Sequence, residues 1–118
     1  MHTVLVVEDD PALRALMVRT LSAKGYRALE AGDGIEALEQ LAADPDIELV
    51  VTDIVMPRMN GVELAQQLVA SAHTRLLYVS PFGKDYNELP ASLLEKPFSP
   101  AALIAEVEKL LEVQTPGQ

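Results

Sequence analysis

Glu8, Asp9 and Asp10 close the apolar run Thr-Val-Leu-Val-Val at positions 3–7, and Asp53 follows a second run, Glu48-Leu49-Val50-Val51. Ser80 and Lys96 stand just after two more such runs, Leu76 to Val79 and Leu93-Leu94. A lone Asp after a strand is ordinarily a helix cap or a turn former. Acids, a hydroxyl and an ammonium gathered at the carboxyl ends of several strands point elsewhere, because open α/β sheets place their ligands there. Carboxylates in one crevice repel one another, so a cation must accompany them or their pKa values must rise. Hard oxygen ligands with room for water suit Mg²⁺, which often joins carboxylates to a phosphoryl group. With such a metal on Asp9 and Asp53, an Asp53 oxygen can attack phosphorus in line, as carboxylate nucleophiles that form aspartyl-phosphates do. Lys96 adds a second positive charge for the phosphoryl oxygens and Ser80 a hydroxyl donor, so positioning and charge neutralisation carry the step.

The elements that must position these groups follow from the pattern between them. Strand 3–7 leads through Asp10-Pro11, an N-cap with Pro at the first helical position, into a helix. Leu13, Leu16, Met17, Thr20 and Leu21 are expected on its inner face, with Gly25 ending it. Arg27 to Glu30 reads as a short second strand. Asp33-Gly34 opens a second helix carrying Ile35, Leu38, Leu41 and Ala42, which Asp44-Pro45-Asp46 breaks. The third strand is short, apolar and β-branched, as a strand covered on both faces should be. Pro57 and Asn60-Gly61 force a loop, and a third helix follows Gly61 with Leu64, Ala65, Leu68, Val69 and Ala72 on its inner face. Strands four and five follow, and Ser99-Pro100 caps a last helix with the stripe Leu103, Ile104, Val107, Leu110 and Leu111. Alternating strands and helices with right-handed crossovers predict a flavodoxin-like, doubly wound α/β fold. Its five-stranded parallel sheet takes the order 2-1-3-4-5. Strands one and three are then neighbours, and Glu8, Asp9 and Asp53 converge at the switch point.

With 118 residues, the chain is read as one domain over 1–113 with a loose tail at 114–118. There are no cysteines, so neither disulfides nor thiolate chemistry enter. A formal charge of −9 argues against nucleic acid as a direct partner. No apolar run approaches the ~20 residues of a membrane span. Met1-His2-Thr3 feeds straight into a strand, so no signal peptide is expected and the default compartment is the cytoplasm. His2 and His73 are single, and neither is assigned a role.

The segments Val6-Val7-Glu8-Asp9-Asp10-Pro11, Thr52-Asp53-Ile54-Val55-Met56-Pro57-Arg58-Met59-Asn60-Gly61 and Glu95-Lys96-Pro97-Phe98 resemble the receiver domain of two-component response regulators. The resemblance runs from about Thr3 to Leu111. It implies that Asp53 takes a phosphoryl group from a phosphohistidine on a sensor kinase or phosphotransfer protein. Glu8 and Asp9 then form the acidic Mg²⁺ pocket with Asp53, and Val55 lends a backbone carbonyl to the metal. Lys96 becomes the phosphate-contacting lysine, joined to Pro97 by a cis peptide bond, and Ser80 stands at the switch hydroxyl. The output is the binding of a downstream protein partner, not catalysis. An aspartyl-phosphate phosphohydrolase is the competing enzyme reading, but it needs a general acid two residues after the nucleophile, where this chain has Val55. A flavin module is disfavoured too, since Glu8-Asp9-Asp10 repels a phosphate.

Three departures from the family pattern stand out. Pro81 follows the switch hydroxyl, where the family uses a backbone N–H toward the phosphoryl group, and proline has none. That keeps open a receiver used only as a docking domain. Only 15 residues, Pro81 to Glu95, separate Ser80 from Lys96. The fourth helix is therefore expected to be a single turn or missing, as in receivers resembling those of hybrid histidine kinases, and the protein is expected to be a monomer. Leu93 occupies the position at which many receivers carry a switch Tyr or Phe, with Phe82 and Tyr86 as nearby substitutes.

Overall fold

The computed structural model describes residues 1–54, 74–81 and 92–112. The helix expected after Gly61, the segment expected to hold a single-turn or missing fourth helix, Val55, His73, Phe82, Tyr86 and the tail all lie outside the described residues.

Five parallel strands form one sheet: β1 (Thr3–Val7), β2 (Arg27–Ala31), β3 (Ile47–Asp53), β4 (Arg75–Ser80) and β5 (Ser92–Glu95). Their order is β2-β1-β3-β4-β5, the doubly wound order expected from the sequence. β3 lies at its centre between β1 and β4, and all five residues of β1 are buried, which is why that strand reads as an unbroken apolar run.

Side chains alternate between two cores. On one face Val4, Val6, Leu49, Val51, Leu77 and Val79 pack under helix α1 (Pro11–Ala23) and the C-terminal helix α3 (Pro100–Glu112). On the other, Leu5, Val7 and Val50 pack with Ala31 and with Ala37 of helix α2 (Gly34–Ala43). β3 begins with an irregularity: Thr3 pairs with Ile47, but Val4 pairs with Leu49. The skipped residue inverts the alternation, so Ile47 joins Val50 in the second core and not Leu49 in the first.

The helix starts follow local chemistry. Asp10 Oδ1 accepts from the amides of Ala12 and Leu13, and Pro11 opens α1. Asp33 Oδ1 accepts from the Glu36 amide at the start of α2, and Ser99 Oγ accepts from the Ala102 amide before α3. At the end of α1, Gly25 adopts φ +93°, a left-handed conformation that glycine enters without penalty, and its N–H reaches the Ser22 carbonyl.

Two helix faces differ in detail from the sequence reading. α1 buries Met17 and Leu21 with Leu13 and Val18 half-buried beside them, whereas Leu16 is 41% exposed. A helix turns 100° per residue, so a stripe centred on Met17 and Leu21 leaves Leu16 at its edge. In α2 the buried residues are Gly34 and Ala37, and Ala42 faces solvent.

Candidate functional site

Register assembles the site. Val7, the last residue of β1, pairs with Thr52, so the next residues along the two strands, Glu8 and Asp53, stand side by side. Asp53 pairs with Val79, and Ser80 pairs with Glu95, the residue before Lys96. Lys96 is tied back by its amide, which donates to the Ser80 carbonyl at 2.9 Å. Its peptide bond to Pro97 is cis, as the resemblance implied.

The Lys96 Nζ donates to Asp53 Oδ2 at 2.8 Å and to Glu8 Oε1 at 2.9 Å. One ammonium thus bridges two carboxylates that come from strands 45 positions apart in sequence. Glu8 is 1% exposed and Asp53 7%, so both charges sit largely out of water. Glu8, Asp9 and Asp53 each offer an oxygen within 4.8 Å of the others. Asp9 is the exposed member of the three.

Burial pushes the Glu8 carboxyl above its usual range, only partly offset by the hydrogen bonds from Lys96 and Asp10. For Lys96, burial pulls the ammonium down, but hydrogen bonds to Asp53 and Glu8 outweigh it and hold the group above its usual value. With three carboxylates and one ammonium the cluster keeps a formal charge of −2. An all-oxygen donor set with that excess charge fits a hard divalent cation.

Ser80 is fully buried at the end of β4, and Pro81 beside it is exposed. Pro81, Lys96, Pro97, Phe98 and Leu13 line a cavity of about 340 Å³ at the rim of the acidic crevice. Leu93 is half-buried and pairs in register with Tyr78, which is 2% exposed and whose phenol is pushed up by burial. Sequence reasoning had looked to Phe82 and Tyr86 for an aromatic near Leu93 and passed over Tyr78. Its place in an apolar strand masked it, and only the β4–β5 register sets it beside Leu93.

Sequence reasoning also missed Arg14. Its guanidinium donates to the Glu8 carbonyl at 2.8 Å and to Glu30 Oε1 at 3.0 Å. The one available signal was an arginine set among the inner-face residues of α1, between Leu13 and Met17, and nothing local named its acceptors.

A doubly wound parallel sheet with carboxylates and a bridging lysine at its switch point defines a flavodoxin-like fold with a charged site at its carboxyl edge. The chain belongs to the response regulator receiver domain family, whose profile it matches over residues 4–108. It is 38% identical over 120 residues to the sensor kinase CckA of Brucella abortus, covering 95% of this chain and 13% of that kinase. It is 33% identical over 118 residues to the response regulator receiver protein CpdR of the same organism, covering 94% of this chain and 98% of that protein. Several other related response regulators are about twice its length: the chain spans 49% of one and 52% of another. The crystal structure of a receiver domain from hybrid histidine kinase CckA superposes with a TM-score of 0.81 at 31% identity, covering 92% of this chain and 98% of that one. TrrA of Thermotoga maritima, solved in complex with Mg²⁺-BeF, superposes with a TM-score of 0.85 at 29% identity, covering 93% and 99%.

Proposed function

We propose that this receiver domain accepts a phosphoryl group on Asp53 from the phosphohistidine of a sensor kinase or phosphotransfer protein and thereby switches the binding of a downstream protein partner. The observation that carries the reading is the Lys96 ammonium, bonded at once to Asp53 and Glu8 beside the exposed Asp9. Glu8, Asp9 and Asp53 would hold Mg²⁺, with the Val55 carbonyl as a further ligand, and the ion supplies charge neutralisation for the incoming phosphoryl group. An Asp53 oxygen attacks phosphorus, the P–N bond of the phosphohistidine breaks, and the imidazole leaves and takes up a proton. Lys96 moves its hydrogen bond from the Asp53 carboxylate to a phosphoryl oxygen, and Ser80 turns its hydroxyl toward the same group. The Mg²⁺-BeF complex of TrrA supports this assignment by kinship.

Pro81 favours a second reading, a receiver that docks without being phosphorylated, since one backbone donor to the phosphoryl group is absent. Intact mass after incubation with Mg²⁺ and acetyl phosphate separates the two. The phospho-acceptor reading expects one added phosphoryl group that Asp53→Ala abolishes. No addition, together with no binding of beryllofluoride, establishes the docking reading.

A further inference from the structure

The turn that carries the acidic residues has a brace of its own. Arg14, in the first turns of α1, sends Nη1 to the Glu8 carbonyl at 2.8 Å and Nε to Glu30 Oε1 at 3.0 Å. One guanidinium therefore ties the end of β1 to the end of β2, and its side chain is only 22% exposed. The chain runs past it at Gly32, where an added Cβ would make ordinary contact with Arg14 Nη1 at 3.5 Å. The Glu8 carbonyl also belongs to the same rigid peptide plane as the Asp9 N–H. Fixing the direction of that carbonyl fixes the backbone from which the Asp9 carboxylate projects. Asp9 depends on this, because it is exposed and among the described residues no hydrogen bond or ion pair holds its carboxylate.

We infer that Arg14 is a positioning residue for divalent-cation binding: by clamping the Glu8 carbonyl against Glu30 it aims the Asp9 carboxylate at Asp53. The inference rests on the Mg²⁺ pocket proposed above. Its sign distinguishes it from simple electrostatics. Removing a positive charge near an acidic pocket strengthens cation binding if charge is all that matters, whereas loss of an aimed ligand weakens it. Outer-shell partners that orient metal ligands are typically worth about 10–100-fold in metal affinity.

The test is a Mg²⁺ titration of the full chain, uniformly ¹⁵N-labelled and followed by amide shifts, for wild type, Arg14→Gln and Arg27→Gln. Arg27 pairs with Asp44 at 2.7 Å at the opposite end of the sheet and controls for general loss of stability. The expected result is about tenfold weaker binding for Arg14→Gln and unchanged binding for Arg27→Gln. Unchanged or tighter binding by Arg14→Gln, or equal weakening by Arg27→Gln, overturns the inference. Should Arg14→Gln fail to fold, Arg14→Lys keeps the charge but gives up the two-armed grip on the Glu8 carbonyl and Glu30, and is expected to weaken binding about tenfold; unchanged affinity there is again a refutation. A wild type that binds no Mg²⁺ overturns the pocket itself, an outcome distinct from a failure of the clamp alone.

Discussion

Replacing Lys96 by methionine keeps most of the side-chain volume and removes the one cation that touches Glu8 and Asp53 among the described residues. At 2.8 and 2.9 Å each contact represents about 6 kcal/mol of Coulomb attraction in a medium of effective dielectric ~20. Much of that is cancelled by the cost of desolvating the ammonium, which is 18% exposed. Breaking a buried ion pair by removing one partner typically costs about 3–5 kcal/mol, because the remaining charge is left uncompensated. Lys96→Met is therefore expected to lose about 3–5 kcal/mol at pH 7 without Mg²⁺, a large share of a domain's usual 5–15 kcal/mol. The pH dependence has a definite sign. Glu8 is already held above its usual pKa in the wild type, and loss of Lys96 raises it further. A carboxyl raised on folding contributes stability that is present below its unfolded pKa and lost as pH rises through the folded one. The variant's deficit should accordingly shrink as pH falls from 7 toward 4.5. Lys96, held above its usual 10.5, contributes stability that is fully present below that value and is lost as pH rises through the raised value of the folded state. Urea denaturation at a series of pH values, with and without Mg²⁺, measures all of this. A loss under 1 kcal/mol at pH 7, or a deficit that does not change with pH, would refute the view that Lys96 compensates two buried carboxylates.

Two further outcomes follow from single residues. Pro81→Ala restores a backbone N–H beside Ser80, and a hydrogen bond from it to a phosphoryl oxygen on Asp53, under the proposed function, is worth roughly 1.5–3 kcal/mol. Phosphorylation from acetyl phosphate should then rise in extent or lifetime by at least about tenfold, and no gain would show that the missing amide is irrelevant. Asp10→Ala removes the cap that accepts from the Ala12 and Leu13 amides at 3.0 and 3.4 Å. It should cost about 1 kcal/mol in chemical denaturation, and an unchanged midpoint would mean that α1 starts without it.

What could be read directly was whatever depends on neighbours in sequence. Buried parallel strands show as unbroken apolar runs, so β1 and the body of β3 were plain, as were the caps at Asp10 and Ser99 and the helix start at Asp33-Gly34. The place of Asp53, Glu8 and Lys96 at strand ends was legible for the same reason. The stripe on α1 was blurred at Leu16, because apolar residues at the edge of a helical face look the same in sequence as those at its centre. The irregularity at the start of β3, which moves Ile47 into the other core, left no mark in composition.

The chain by itself determined that carboxylates, a hydroxyl and a lysine would end up at the carboxyl edge of a doubly wound sheet, since run length, alternation and right-handed crossover suffice for that. Only the tertiary structure decided how they meet. The double hydrogen bond of Lys96, the burial that raises Glu8, the pairing of Tyr78 with Leu93 and the grip of Arg14 on β1 and β2 all join residues from different strands and helices. Such contacts are set by register and by distances of a few ångströms between separate elements, which no local pattern encodes.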